Sequence, residues 1–365
     1  MPNAVLSFED AGSLNVQEWP HRLLDTLGAA LFGSTALWMS WASLQSGGSA
    51  LPGIQLLLAC GLALLIVRTI GPRSRLIVPA AALFAAVVVA ARSRTGVLST
   101  APLSGPFEYV NADGAFYVQA AVAGLMLAAS AELWLLRVAG GVAAAGFAML
   151  PFAIHAVAAA WLVVVLPGTA LVLVPVLGAR GARAVVGLCG LLVLASLAIT
   201  IGLGATYSPG ANPNTVERAA VKAVDEHRLV LWNDAFAIMK DHLVAGVGAR
   251  RYQVVSPIAS HDPDSRWAHN EFLQQGAEGG VAGLALLALM FLWAFSRLWV
   301  VKSPDTITAL SAATLAALGI HASIDYVIHF PMIPIVTASL VAVGMVDREA
   351  GPWRPERAPG SERSD

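Results

Sequence analysis

The sequence predicts an all-α polytopic membrane protein, and three observations carry that prediction. Of the 365 residues, 57% are hydrophobic and only 12% are charged, whereas a soluble chain carries about 25% charge. Mean hydropathy is +0.70. Apolar runs of about 20 residues, the length that crosses a bilayer as a helix, recur along the chain. Backbone groups in lipid must be satisfied within their own segment, so helices are the expected spanning element. The strand alternation of an outer-membrane barrel is missing from the sequence.

Taken in order, residues 1–21 are a polar entry segment; Glu9, Asp10 and Glu18 make it too polar for a cleavable signal. Spans are expected at 23–44, 51–69 and 76–91, with Arg68, Arg73 and Arg75 in the turn before the third. A first long loop, 92–114, holds Arg92, Arg94, Gly105-Pro106-Phe107, Asn111 and Asp113. The fourth span is placed at 115–135, ending at Arg137. The run 138–178 is too long for one helix rising about 1.5 Å per residue through a roughly 30 Å core, so it divides near Pro151–His155 into spans five and six. Span seven, 184–205, follows Arg180 and Arg183. A large loop covers 206–277, with one helical pattern from 215 to 242. Spans eight to ten fall at 278–300, 306–324 and 332–346, with Asp325, His329 and Pro331 in the last turn. The organisation is therefore 1–205 with seven spans, the loop 206–277, 278–347 with three more, and a charged, Pro-rich tail at 348–365 that is expected to be disordered.

Charge sets the orientation. With the N-terminus inside, every short cytoplasmic loop is basic: Arg22, the 68/73/75 cluster, Arg137, Arg180, Arg183, Arg297 and Lys302 all fall there. The positive-inside rule counts such short loops and discounts long ones. Both termini are expected in the cytoplasm and both long loops outside, together with the turns at His155 and at Asp325–His329. A net charge of −1 argues against nucleic acid as a partner. Cys60 and Cys189 sit in apolar runs, far apart and away from any metal-ligand spacing.

The candidate chemistry lies in one polar island, Arg228 to Gly283, between long apolar runs. Arg228 and Trp232 are one helical turn apart; they can form a simple cation–π pair, or Arg228 can offer bidentate donors to phosphate. Gly246-Val-Gly248 lacks the third glycine and the preceding strand of a dinucleotide fingerprint. It reads either as a helix-ending turn or as a backbone nest for an anion beside Arg250 and Arg251. His269 precedes a helix that Asn270 can cap, with Glu271, Gln274 and Glu278 on its first turns. A carboxylate at the position of Glu278 is costly at a membrane unless paired or wet, and a neutral histidine nearby can take a proton from a hydroxyl. His261, Asp262, Asp264 and His269 fit no standard metal spacing, so no metal and no cofactor are expected. Gly279, Gly280 and Gly283 suit close helix packing. Asp325 and His329 are either functional or a structural pair, and the same alternatives hold for His155.

These pieces together resemble the O-antigen ligase and polymerase superfamily: Arg228–Trp232, Gly246-Val-Gly248, His269-Asn270-x-x-Leu273-Gln274, and Glu278-Gly279-Gly280-x-x-Gly283. Gly105-Pro-Phe107-x-x-x-Asn111 and His321-x-x-x-Asp325-Tyr-x-x-His329-x-Pro331 extend the likeness over 105–345. The resemblance implies a bacterial inner-membrane glycosyltransferase of the GT-C-like kind, working without metal at the outer face. It implies a donor glycan on undecaprenyl diphosphate, and a glycan, lipid A core or protein as acceptor. His269 matches the residue that acts on the acceptor hydroxyl, and Arg228 the arginine that binds the diphosphate. Where the family carries a Ser-Arg pair, this chain reads Ile154-His155-Ala156, so Arg250, Arg251 or Arg94 is left to replace that arginine. About ten spans are expected where twelve are common in the family. A transporter, or a scaffold of a polysaccharide-synthesis complex, is the alternative from a different class.

Overall fold

A computed structural model describes residues 19–92, 107–210, 214–261 and 265–347. Among them every regular element is helical. The helices are α1 (Trp19–Ser46), α2 (Leu51–Ile70), α3 (Ser74–Arg92), α4 (Val110–Ser130), α5 (Trp134–Ala153), α6 (Val157–Thr206), α7 (Thr215–Val224), α8 (Glu226–Asp241), the single turn α9 (Tyr252–Val255), α10 (Glu271–Trp299), α11 (Thr306–Ala322) and α12 (Met332–Gly344). The entry segment, most of the first long loop, Asp262 to Asp264 and the tail lie outside the described residues.

Among the described residues five helical stretches are long and apolar enough to cross a membrane: Leu51–Ala91, Val110–Ser130, Trp134–Ala153, Val157–Thr206 and Glu271–Trp299. The first is interrupted by a 3-10 turn at Gly71–Arg73. The fourth is interrupted at Gly178, whose backbone is left-handed, close to the end expected for span six. Large apolar side chains such as Leu58, Phe84, Val142, Val176 and Leu191 stand exposed on these helices. In water such surface would drive association; facing lipid it carries no penalty. The chain is a membrane protein.

The chain divides into two compact units. One comprises Met1–Gly61, Val186–Val300 and Leu318–Pro331; the other comprises Leu62–Val185, Val301–Ala317 and Met332–Asp365. The second unit is built around α4, which is buried along most of its length and is packed by α3, α5 and α12. Small residues allow that packing. A Cβ on Gly124 would stand 2.7 Å from the Gly140 carbonyl oxygen and the Ala144 amide nitrogen, so α4 and α5 meet backbone to backbone. Buried Gln119 is satisfied by α12, its Nε2 donating to the Thr337 hydroxyl (2.8 Å) and the Ile333 carbonyl (3.0 Å). The boundary of span four moves: α4 ends at Ser130, and Arg137 lies in the first turn of α5. Its Nε donates to the Ala131 carbonyl (2.6 Å), capping the end of α4 rather than closing it at 135.

In the first unit, α10 packs on α1 and α8. Asn270 caps α10, its side chain accepting from the Leu273 amide (3.0 Å), and Glu271 adds negative charge in the first turn where the helix dipole favours it. At the far end, Arg297 Nε donates to Asp25 of α1 (3.0 Å). Between them α10 is broken at Gly280 (φ 67°, ψ −170°). The carbonyls that the break would strand find partners: those of Ala277 and Glu278 accept from the Val247 and Gly248 amides (2.9 and 2.8 Å). The Gly279 carbonyl accepts from Trp38 Nε1 (2.8 Å). The Gly246 amide is spent on the His242 carbonyl (2.9 Å) and those of Val247 and Gly248 on α10, and the nest reading is corrected: no anion cradle is free there. Gly280 likewise serves the break rather than helix packing.

The helical pattern expected over 215–242 is two helices. Asp225 separates them with a left-handed backbone (φ 76°) and caps α8 by accepting from the Arg228 amide (2.8 Å). Leu229, Trp232, Ala235 and Ile238 of α8 pack with Leu203, Val247, Tyr252, Leu273 and Ala277 into one apolar core. Each large side chain so buried stabilises by about 1.5–3 kcal/mol.

A Cβ at position 280 would stand 2.2 Å from the Val244 carbonyl oxygen, on a backbone that L-residues rarely adopt. Gly280→Ala is therefore expected to destabilise the protein by roughly 1–3 kcal/mol or more, read as a lowered thermal transition in detergent. A wild-type transition would contradict this account of the break.

Candidate functional site

The site gathers in the first unit around the carboxylate of Asp325, which the turn after α11 places at 0% side-chain exposure. Its Oδ2 is 3.1 Å from Arg228 NH2, and its Oδ1 is 3.3 Å from His269 Nδ1. Oδ1 also accepts from the Tyr326 amide (2.8 Å). Arg228 NH1 donates to the Ile324 carbonyl (2.9 Å), so the guanidinium grips both backbone and side chain of that turn. Arg228 and His269 keep 19% and 13% of their side chains exposed; these two, and not the carboxylate, are within reach of a ligand.

The local folding explains why His269 points as it does. It sits at φ 50°, a left-handed conformation that costs a non-glycine residue about 1–3 kcal/mol and persists only where the surroundings over-determine it. Three contacts do so. Its carbonyl accepts from the buried indole Nε1 of Trp232 (3.0 Å). The next residue, Asn270, is committed to capping α10. Its ring is fixed between Asp325 and the edge of Tyr326, with centroids 4.8 Å apart at 80°.

Burial alone would push the Asp325 carboxyl up, but the His269 contact and then the Arg228 charge outweigh it, and the carboxyl is held well below the usual carboxylate range. It is ionised wherever the protein is folded at neutral pH. With Nδ1 turned to this carboxylate, the other ring nitrogen of His269 is left to accept a proton. Arg228 has five N–H donors. Two are engaged with Ile324 and Asp325, and Nε faces Asp225 at 3.5 Å, so donors remain for an anion.

The other expected site residues separate into distinct places. Trp232, Asn270, Gln274 and Glu278 are all buried and serve the frame. Gln274 Oε1 accepts from the Ala268 amide (2.7 Å), and its Nε2 donates to Glu278 (2.7 Å). Glu278 in turn accepts from the Arg250 and Tyr252 amides (2.8 and 3.3 Å). Trp232 gives its indole to the His269 carbonyl, while the Arg228 guanidinium turns to Ile324 and Asp325, so of the two alternatives for that pair the cation–π one gives way to two separate contacts. Arg251 donates to the Ser46 carbonyl at the end of α1. Arg250, held at φ 61° by Glu278, leaves its side chain exposed. His329 faces Glu271, Nε2 to Oε2 at 3.4 Å.

Asn111 and His155 belong to the second unit. Asn111 lies in the first turn of α4, its Nδ2 3.4 Å from the Tyr109 hydroxyl. His155 is exposed, at φ 59°, in the turn between α5 and α6. The two turns are neighbours: a Cβ on Gly114 would stand 2.6 Å from that of Ala156. Arg94 lies outside the described residues, as do Asp262 and Asp264. Among the described residues no three His, Cys, Asp or Glu side chains gather as a metal site. Sequence reasoning did not single out Trp267, and it met Tyr326 only as part of the motif around Asp325. Trp267 lies two residues before His269 and Tyr326 one after Asp325, and aromatics next in sequence to the candidate groups were the available signal.

The O-antigen ligase family profile matches residues 79–288, more than half of the chain. The chain belongs to the O-antigen ligase family. The match contains Arg228, His269 and Glu278, whereas Asp325 lies beyond its end. No curated protein matches the chain. Membership of this family agrees with a glycan-ligating membrane enzyme of envelope polysaccharide synthesis.

Because the folded-state carboxyl of Asp325 is depressed, its stabilising effect is present in full above the unfolded value of about 3.9 and is lost as pH falls through the folded value. The gap in thermal transition between the wild type and Asp325→Asn is expected to stay constant down to about pH 5 and to shrink at lower pH. A gap that widened on acidification would reverse the sign and remove the ion pair from the account.

Proposed function

We propose that the chain transfers glycan from an undecaprenyl-diphosphate carrier to an acceptor hydroxyl at the outer face of the bacterial inner membrane. The observation that carries the reading is the convergence of Arg228 and His269 on one buried carboxylate, Asp325. A phosphate-binding guanidinium and a histidine held ready to take a proton are the two groups such a transfer needs, and family membership supports the same reaction class.

In this reading the acceptor hydroxyl gives its proton to the free ring nitrogen of His269 as its oxygen bonds to the anomeric carbon of the donor sugar. The bond from that carbon to the diphosphate oxygen breaks, and the lipid diphosphate leaves with the electron pair. Arg228 stabilises the charge that develops there, and exposed Arg250 is the candidate for the second cation. The proton on His269 is later released to water. Asp325 orients the imidazole, as a buried carboxylate does for a general base. Glu278 keeps the Arg250 backbone in place, a supporting role instead of proton transfer. Asn111 and His155, in the second unit, are substrate-binding candidates of their own. About ten spans, with both termini in the cytoplasm and 206–277 outside, present this site to the periplasmic side, and the reaction as written uses no metal or cofactor. The acceptor is a glycan, a lipid A core or a protein.

In purified full-length protein given lipid-linked glycan and acceptor, His269→Ala is expected to lower transfer by about 10²–10⁴-fold. Arg228→Lys, which keeps the charge and loses the planar fork, is expected to lose most activity as well. Wild-type transfer by a normally expressed His269→Ala variant would sink the proposal. In cells lacking the protein, unattached lipid-linked polymer marks a ligase, and a surface glycan of one repeat unit marks a polymerase.

A further inference from the structure

The geometry points to a pyranose-stacking platform, built by Trp267 and Tyr326 and braced by the Glu271–His329 pair, that receives the terminal sugar of the acceptor beside His269. This rests on the transfer reading above and narrows it: the acceptor hydroxyl belongs to a sugar ring.

The rings form a continuous group within the first unit. Tyr326 meets His269 edge to face at 4.8 Å. Trp267 lies 6.1 Å from Tyr326 with the planes 36° apart. His329 packs against Trp267 at 4.2 Å and 65°. His329 is held from behind by Glu271, whose side chain is 2% exposed and whose other oxygen accepts from Gln275 Nε2 (3.0 Å). A buried carboxylate on the far side of a histidine fixes the imidazole, and through it the indole. Trp267, Tyr326 and His329 are each half-buried, and Tyr326 also stacks on Phe330 at 6.1 Å and 24°.

Sugar rings suit such a surface. They present a rim of hydroxyls and a face of C–H bonds, and the flat faces of indole and phenol bind apolar C–H groups with little loss of conformational freedom. A hydroxyl that gives its proton to His269 must approach within about 2.6–3.2 Å of the imidazole. The ring that carries this hydroxyl then lies one ring width away, where Tyr326 and Trp267 stand. A plain membrane-interface belt of Trp and Tyr is the competing account of these aromatics. Such a belt needs no contact with the candidate base and no buried acid behind it, and this group has both.

The test uses the full chain in detergent, with methyl β-glucopyranoside and methyl β-galactopyranoside as probes and glycerol as a polyol without a ring face. Binding is read by saturation-transfer NMR. The expected result is transfer to the C–H protons of one pyranoside face, with little to glycerol. Trp267→Ala is expected to weaken pyranoside binding roughly two- to tenfold, and Trp267→Phe to retain most of it. Equal saturation of glycerol and pyranosides overturns the proposal. So does a Trp267→Ala variant with a wild-type thermal transition that binds as the wild type does. If Trp267→Ala does not fold, Tyr326→Ala decides by the same criterion. His269→Ala separates the two readings. Lost glycan transfer with pyranoside binding kept supports both. Retained transfer overturns the catalytic reading and leaves the platform standing on its own binding data. Absent pyranoside binding in the wild type overturns the platform alone.

Discussion

A carboxylate with no solvent exposure has to be satisfied by the protein, and the site follows from how Asp325 meets that demand. Two cationic or protonatable groups come to it from sequence segments far apart, Arg228 on α8 and His269 before α10. An unpaired buried carboxylate is strongly unfavourable, and removing one partner of such a set destabilises more than the pair itself contributes. The turn after α11, the first turn of α8 and the entry to α10 are thereby held as one arrangement. The Arg228 bond to the Ile324 carbonyl adds a backbone contact to the ionic one, so side-chain charge and chain path are fixed together.

Around that centre the polar residues fall into two tiers. The reachable tier is small: Arg228, His269 and, apart from them, Arg250. Behind it lies a chain of buried hydrogen bonds, from the Ala268 amide through Gln274 and Glu278 to the Arg250 and Tyr252 amides. Each member is satisfied by the next, as buried polar networks require if they are to stiffen rather than weaken a structure. The network joins the backbone next to His269 to the loop that displays Arg250. Both ends carry left-handed non-glycine residues, and that strain is sustained by the bonds between them.

Much of this was legible in the sequence. Apolar length and the low overall fraction of charge gave the helices, and the concentration of charged residues between 206 and 277 marked the loop that holds most of the site. Arg228, His269 and Asp325 were each visible as ionisable groups in an apolar context. What periodicity could not reveal was their pairing. Helical spacing put Arg228 with Trp232 and Asp325 with His329, because spacing reports neighbours on one helix and says nothing of contacts across the fold. The same limit hid the break at Gly280. A glycine pair in an apolar run reads equally well as helix packing or as a left-handed joint, and only the Val247 and Gly248 amides waiting opposite decide between them. Glu278 was conspicuous for the right reason, since a carboxylate there needs partners, but those partners proved to be the Arg250 and Tyr252 amides and the Gln274 side chain.

The joint at Gly280 also works as a depth gauge. Beyond it, 281–299 is a helix of about 28 Å, close to the roughly 30 Å of a bilayer's hydrocarbon core. In the proposed orientation the short helical piece 271–279, and His269 at its head, therefore stand above the oil and among the headgroups. Only the isoprenoid tail of the donor would enter the hydrocarbon, while hydrated sugars stay in the layer where water and lipid mix. Bilayer thickness then becomes a variable of the reaction: a thinner membrane lifts the reacting groups toward bulk water, and a thicker one draws them toward the hydrocarbon.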